Sequence, residues 1–139
     1  MILKEDTTEK IISSADAAAI LTKILSVEGE LDREKEHFWV IGLNCHSIIR
    51  FIDLVSLGTT EQTLTDARQT FRLAVMKNVG KIIIAHNHPS GVTFPSDEDK
   101  ILTKKMRECG EILGIAVLDH IIITADESKY FSFADNGEL

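Results

Sequence analysis

The chain has 139 residues, of which 44% are hydrophobic and 27% charged, and its net charge is −7. This length predicts one domain with its own hydrophobic core and excludes a (β/α)8 barrel, which needs about 200–250 residues or more. The excess of 22 acidic over 15 basic residues, without a basic run or tail, disfavours a nucleic-acid-binding protein, because such binding rests on Lys and Arg contacts to phosphate.

The cysteines and the apolar runs predict the compartment. Cys45 and Cys109 are far apart and in no CxxC pattern, which is typical of reduced thiols. The chain opens without the apolar stretch of a signal peptide, and its apolar runs are too short to cross a bilayer. We therefore expect a cytoplasmic protein without a membrane partner.

The first part of the chain predicts a flexible start followed by a helix. Residues 1–12 are expected to be a flexible N-terminus, so that residues 13–139 form the single domain. Apolar residues recur at helical spacing from Ala17 to Leu25, after the capping residues Ser13 to Asp16. The charged stretch from Glu28 to Glu36 is expected to be a solvated end or loop.

The middle of the chain predicts a hairpin and a second helix. Residues 38–43 and 47–55 have the composition of two strands, joined by a turn at residues 44–46. Apolar residues share one face of a helix over 66–78, which Gly80 is expected to close. An antiparallel pair of strands thus comes before the second half of the chain.

The second half predicts alternating strands and helices. Lys81 to Ala85 is a short, continuously apolar, β-branched run, which is typical of a buried strand. A Pro/Gly/Ser loop leads to a helix over 96–113, which a buried strand over 115–124 and a short strand over 130–133 follow. Because a hairpin precedes this alternation, we expect an α/β fold with a mixed β-sheet and helices on both faces.

Two histidines follow the predicted strand that begins at Lys81. His86 and His88 are two residues apart, so in an extended backbone both imidazoles face the same side. Asp99 falls in the first turn of the next helix, and helical side chains lean toward the N-terminus, which directs its carboxylate back at the strand end. Two imidazoles, one carboxylate and an open fourth position form the ligand set of a catalytic zinc site. The pattern therefore predicts Zn²⁺ bound by these three residues, with the Ser96 hydroxyl able to donate to a bound oxygen.

Each half of this pattern also has a purely structural explanation. Ser96 followed by Asp99 is close to a capping box, in which the two side chains satisfy backbone groups at a helix start. A His-x-His pair on a strand is often a packed or surface pair. Their combination around a Pro/Gly loop, at the C-terminal end of a buried strand, favours the metal site. The two explanations are compatible, because Ser96 can cap the helix and also face the site.

This segment resembles the JAMM motif of the JAB1/MPN zinc isopeptidases, His-x-His-Pro followed by Ser-x-x-Asp. The closer similarity is to the bacterial RadC-like branch, and it extends from about Phe38 to the C-terminus. It is carried by residues 85–91, by 57–59 upstream, and by 117–122 and 130–133 downstream. The resemblance implies the α-β-α architecture shared with cytidine-deaminase-like folds. It also implies a short, stand-alone form without the helical N-terminal region of full-length RadC proteins.

The resemblance implies a role for each residue of the motif. His86, His88 and Asp99 would bind zinc, and Ser96 would hydrogen-bond the attacking water or the tetrahedral intermediate. The family's general base is an upstream Glu, and its position holds Asp53 in this chain.

The replacement of that Glu by Asp53 affects the expected mechanism. Asp is one methylene shorter, and a base must come within about 3 Å of the proton it takes or act through a water. An Asp that closes a strand is equally typical of a solvated sheet edge. Glu61, just past the turn at Gly58, is the reserve candidate.

Three functions follow from these observations. The leading hypothesis is a zinc-dependent hydrolase of peptide or isopeptide bonds, acting on an unknown protein or peptide. The first alternative is a zinc-binding interaction module that is catalytically weak or inactive. The second is a role in DNA repair or mobile elements, as the RadC name suggests, which the charge of −7 disfavours. A zinc nucleobase deaminase would need His-x-Glu and Pro-Cys-x-x-Cys, and the chain has neither. The sequence is compatible with a homodimer.

The remaining histidines carry weaker predictions. His120 lies inside an apolar strand and is expected to be packed and hydrogen-bonded. It could also act behind the metal ligands, since bound imidazoles usually donate their other N–H to a carboxylate or carbonyl, for which Asp119 is a candidate. His37 and His46 flank the hairpin and are expected to be exposed, and Trp39 is expected in the core.

Overall fold

The computed structural model describes residues 1–58 and 66–139, and in this part of the chain six strands form one sheet. The strands are β1 (Ile2–Glu5), β2 (His37–Leu43), β3 (Ile49–Leu57), β4 (Lys81–Asn87), β5 (Ala116–Ile123) and β6 (Tyr130–Ser132). The helices are α1 (Ser14–Ser26), α2 (Glu30–Arg33), α3 (Ala67–Met76) and α4 (Asp97–Leu113). The spatial order is β1-β3-β2-β4-β5-β6; β4 and β5 are parallel and the other neighbours antiparallel. The predicted α/β fold with a mixed sheet is confirmed.

The helices cover both faces of the sheet, as predicted. One core forms between α1 and the sheet and contains Leu21 and the fully buried Trp39. The other forms beneath α3 and α4 and contains Val40 and Met106. Because successive residues of a strand point to opposite faces, β2 contributes to both cores and is buried along its whole length.

The N-terminal segment contains a strand that the sequence did not predict, and the expected division at residues 12 and 13 stays a prediction. Residues 2–5 form β1, which pairs with β3 from Ile2 opposite Asp53 to Glu5 opposite Phe51. A further bridge joins Lys10 to Ile48. Strand pairing uses backbone groups and therefore does not require apolar side chains, and an edge strand commonly carries polar ones. The polar composition concealed the strand for this reason.

Two predicted boundaries also shift. The stretch 28–36 contains the short helix α2, which buries none of its residues and so remains solvated as expected. The helix α3 begins at its cap Asp66 and ends at Met76, and Asn78, not Gly80, adopts the left-handed conformation after it, with φ of 53°. Asn tolerates this conformation because its short polar side chain can bond locally. The end of α4 matches the usual pattern, since Gly114 is left-handed with φ of 72°.

A close approach on β2 requires a glycine. A Cβ atom on Gly42 would lie 2.1 Å from a ring carbon of Phe51 on the neighbouring strand β3. The ring fills the space that a side chain would take.

Among the described residues, no helix combines the length and apolarity needed to cross a bilayer.

Candidate metal centre

The three predicted metal ligands converge at the end of β4. The ligand atoms of His86, His88 and Asp99 all lie within 4.8 Å of one another. The two histidine Nε2 atoms are 3.0 Å apart, and they lie 3.2 and 3.1 Å from the two carboxylate oxygens of Asp99. Two imidazole nitrogens and a carboxylate are donors that suit Zn²⁺, and the part of the chain that the structure describes adds no fourth ligand to this cluster.

The loop after β4 orients the second histidine. The His88 amide donates to the Ile123 carbonyl at 2.9 Å, which continues the pairing of β4 with β5 past the strand end. The ring Nδ1 of His88 lies 2.7 Å from the Val92 carbonyl, and a carbonyl only accepts, so Nδ1 carries a proton. In the neutral ring, the Nε2 lone pair is therefore free to face the site. Gly91 makes the turn possible with φ of 85°, and its amide donates to the His88 carbonyl.

Asp99 occupies two roles at the start of α4. Ser96 Oγ accepts from the Asp99 amide at 3.1 Å, and Asp99 Oδ2 accepts from the Ser96 amide at 2.9 Å. The capping box is thus present, and the same carboxylate also faces both histidines. The Ser96 side chain is exposed, and its hydroxyl proton is not used in the cap. The catalytic role of Ser96 stays a prediction.

The charges of the site stabilise a proton in the metal-free form. Burial alone would raise the pKa of Asp99, but hydrogen bonds from His86 and His88 hold the pKa far below its usual range. Burial lowers the pKa of His88, yet the Asp99 carboxylate outweighs it and raises the pKa above its usual value. The negative charge of Glu36 raises the pKa of His88 as well. A cation that replaces this proton meets the same favourable field.

Glu36 lies close enough to this cluster to act on the charge of His88, and the sequence reasoning did not predict it there. In the antiparallel pairing of β2 with β4, Phe38 lies opposite His86. Glu36 directly precedes β2 and His88 directly follows β4, so the two residues lie at the same end of this antiparallel pair. In the sequence, Glu36 looked like the end of a solvated charged stretch. Only the pairing of β2 with β4, which the sequence alone does not give, could have indicated its position.

Asp53 lies elsewhere on the same sheet. It is buried on β3, separated from β4 by β2, which corresponds to about 10 Å across the sheet. Its carboxylate accepts from the Met1 ammonium group at 3.0 Å. The structure does not bring it into the cluster of three ligands, and its role as general base stays a prediction. The reserve candidate Glu61 lies outside the described residues.

A buried chain of hydrogen bonds continues behind the first ligand. His86 Nδ1 lies 2.7 Å from His120 Nε2, and His120 Nδ1 lies 2.5 Å from Thr103 Oγ1. The Thr103 hydroxyl also lies 2.7 Å from the backbone carbonyl of Asp99. His120 is fully buried, as expected, and the partner of a metal-ligating imidazole is this second imidazole.

Asp119 does not accept from a metal ligand, contrary to the role considered for it. Its carboxylate accepts from the His120 amide at 2.7 Å, the Ala134 amide at 3.0 Å and the Ser132 hydroxyl at 2.5 Å. Because side chains alternate along β5, Asp119 and His120 point to opposite faces of the sheet. Burial raises the pKa of Asp119, which these three hydrogen bonds oppose.

The prediction that His37 is exposed is wrong. Its ring is fully buried and stacked on Trp39 at 5.1 Å, with Nε2 lying 2.5 Å from a Glu28 carboxylate oxygen. The reason is the fold of the preceding charged stretch, which covers the ring and supplies that carboxylate. The Asn87 side chain, between the two ligand histidines, accepts from the His37 amide at 2.6 Å and donates to the Lys35 carbonyl at 3.1 Å. These bonds tie the end of β4 to the start of β2. His46, by contrast, is exposed as predicted.

Comparison with known proteins identifies similar chains. A family model described as RadC-like JAB domain matches residues 11–138. A UPF0758 protein of Flavobacterium johnsoniae is 43% identical over 129 residues, which cover 93% of this chain and 53% of the relative. UPF0758 proteins of Staphylococcus carnosus and Thermotoga maritima are 37% and 33% identical, with 95% and 97% of this chain covered and 55% and 57% of the relatives. The chain thus spans about half the length of these curated relatives.

Proposed function

The chain belongs to the RadC-like JAB domain family, and from this premise we propose that it is a zinc-dependent hydrolase of peptide or isopeptide bonds. The wider JAB/MPN family includes metalloproteases. The observation that carries the proposal is the convergence of the ligand atoms of His86, His88 and Asp99 within 4.8 Å. Two ring nitrogens and two carboxylate oxygens that face one another at about 3 Å need a proton or a cation between them.

The ligand set supports catalysis over a purely structural metal role. Closed structural zinc sites use four protein ligands, usually including Cys. Among residues 1–58 and 66–139, three protein ligands converge, and Cys45 and Cys109 do not belong to the cluster. When bound, Zn²⁺ supplies Lewis acidity and an acidified water, whose pKa lies near 7 in enzymes with open zinc sites.

Glu36 is the carboxylate that we favour as general base. Its position at the same end of the β2–β4 pair as His88, and its electrostatic effect on that residue, support a carboxylate close to the metal. In this role Glu36 takes the proton of the attacking water and later delivers it to the leaving amine. The sequence-based proposal of Asp53 competes with it, at about 10 Å across the sheet from β4.

Ser96 is proposed to stabilise the oxyanion. Its Oγ accepts from the Asp99 amide, which leaves the hydroxyl proton available to the substrate. A hydrogen bond to the oxygen of the tetrahedral intermediate would then strengthen as negative charge develops there. Loss of one such donor typically costs about 10²–10³ in rate.

The substrate is proposed to be a protein or peptide of the cytoplasm. The site lies at the end of the central strand β4, beside the exposed loop residues Val92 and Phe94. The net charge of −7 disfavours DNA as the substrate.

Metal analysis and an activity screen test the proposal together. The purified protein should contain about one zinc ion per chain, and the His86→Ala/His88→Ala double variant should contain none. The zinc-loaded protein should then cleave members of a library of peptides and isopeptide-linked peptides, with products identified by mass spectrometry. A zinc-loaded protein that cleaves nothing in the library would favour the interaction module, and absence of zinc from the wild type would remove the basis of the proposal.

A further inference from the structure

The hydrogen-bonded chain behind His86 determines which of its ring nitrogens carries the proton. We propose that Thr103 and His120 are positioning residues that hold His86 in the tautomer protonated on Nδ1, so that the Nε2 lone pair faces the metal. The inference rests on the proposed function, because it concerns the same metal site. It adds two residues, from α4 and β5, to the machinery of that site.

The proton positions follow from which atoms of this series of hydrogen bonds can donate and which can only accept. The Thr103 hydroxyl has one proton, and the backbone carbonyl of Asp99, 2.7 Å away, can only accept it. Thr103 Oγ1 must then accept from His120 Nδ1, which lies 2.5 Å away. A neutral His120 with a proton on Nδ1 has a free lone pair on Nε2. That lone pair accepts from His86 Nδ1 at 2.7 Å, and His86 Nε2 is left unprotonated.

The surroundings of His120 keep the ring neutral and in place. His120 is fully buried, and its ring is stacked on Phe133 with centroids 4.8 Å apart. Phe38 presents an edge to the same ring at 6.4 Å. Thr103 is buried as well, with 2% of its surface exposed. Burial among these side chains favours the neutral ring, since a charged ring would lose its hydration here.

If the hydrogen bonds ran in the opposite direction, from Thr103 to His120 to His86, a proton would lie where the metal must bind. If Thr103 donated to His120 instead, His120 Nε2 would donate to His86 Nδ1. The His86 proton would then lie on Nε2, 3.2 Å from Asp99 Oδ1, and the ring could not bind a cation. The Asp99 carbonyl biases Thr103 against this direction by offering a competing acceptor. A neutral imidazole as the partner also leaves the charge of the site unchanged, unlike the carboxylate that often supports a zinc-bound histidine.

Substitution of Thr103 tests the proposal, with one variant that lacks the hydroxyl and one that retains it. Thr103→Val removes the hydroxyl and keeps the shape, whereas Thr103→Ser keeps the hydroxyl. Zinc affinity, measured by competition with a chromophoric chelator, should fall about 10–100-fold in Thr103→Val, as is typical when a supporting partner of a ligand is removed. It should stay within about threefold of the wild type in Thr103→Ser. Equal affinities of the two variants would overturn the proposal.

Nitrogen NMR of the imidazole rings gives a second measurement that does not depend on activity. In the zinc-loaded wild type, His120 should be protonated on Nδ1 and accept at Nε2. A proton on His120 Nε2 would overturn the proposal whether or not the variants fold. If metal analysis showed that the wild type binds no zinc, the proposed function would fail. The metal-free spectra would still decide this inference, because the His120 tautomer should change in Thr103→Val and not in Thr103→Ser.

Discussion

Replacement of Glu36 by Gln should separate catalysis from metal binding. The amide is nearly the same size as the carboxylate but cannot take a proton from water. A positioned general base contributes about 10²–10⁴-fold to a rate, so kcat/KM should fall by that factor, which corresponds to about 3–5 kcal/mol in the barrier. Zinc content should stay close to one per chain, because Glu36 is not one of the three converging ligands.

The expected magnitude for the competing base is much smaller. Asp53 is separated from β4 by β2, about 10 Å across the sheet, so Asp53→Asn removes a charge and not a contact with the reacting water. Two unit charges about 10 Å apart interact by about 1.7 kcal/mol at an effective dielectric constant of 20, and physiological salt weakens this further. We therefore expect Asp53→Asn to change kcat/KM by less than about tenfold.

Both variants are assayed on the peptide or isopeptide substrate found in the library screen, with zinc measured in the same preparations. Circular dichroism and urea unfolding control for folding. A loss of 10² or more in Asp53→Asn, with Glu36→Gln close to the wild type, would refute the argument from strand pairing and restore the base inferred from sequence similarity.

Two further predictions concern stability and pH. Gly42→Ala should lower the free energy of unfolding by about 1–3 kcal/mol, because the added Cβ would lie 2.1 Å from a ring carbon of Phe51. Gly80→Ala, with open space around its Cβ, should not lower it, and equal urea midpoints for the two would contradict the packing argument. In the metal-free protein, His88 and Asp99 together should stabilise the fold most between about pH 4 and 6.5, the ordinary pKa values of Asp and His. His88, with its raised pKa, stabilises the fold below about pH 6.5, and this contribution is lost as the pH rises through the raised value. Asp99, with its lowered pKa, stabilises the fold above about pH 4, and this contribution is lost as the pH falls through the lowered value. Unfolding of chelator-treated protein from below about pH 4 to above about pH 8 measures both limbs, and a profile above about pH 6.5 that does not differ from that of His88→Ala would contradict the His88 contribution.

The convergence of His86, His88 and Asp99 could be predicted from the sequence because their placement depends on local structure. His86 and His88 share a side through the two-residue period of a strand, and Asp99 points back through the lean of helical side chains. All three lie within one strand–loop–helix segment, so no knowledge of distant pairing was needed.

The residues that sequence reasoning missed depend on contacts between distant segments. Glu36 joins the site through the pairing of β2 with β4, and Thr103 through contact of α4 with β5. His37 is buried because the preceding charged stretch folds over it. β1 escaped prediction because backbone pairing, not side-chain pattern, forms it. For Glu36, His37 and β1, the charged or polar local sequence predicted exposure to solvent. For Thr103, the local sequence carried no such indication.

The double role of Asp99 bears on how this motif should be used to judge other chains. Its carboxylate holds the first turn of α4 whether or not an ion is present, so natural selection for folding alone would preserve Ser-x-x-Asp. A descendant that lost its metal could keep this half of the motif through long divergence and survive as a binding domain. Within the part of the chain that the structure describes, the histidine rings cap no helix, and their one bond to the backbone joins His88 Nδ1 to the Val92 carbonyl within the loop. The presence of both histidines, His86 and His88, is therefore the better indicator of a functional metal site. The Ser-x-x-Asp pair by itself indicates only the N-terminal cap of a helix.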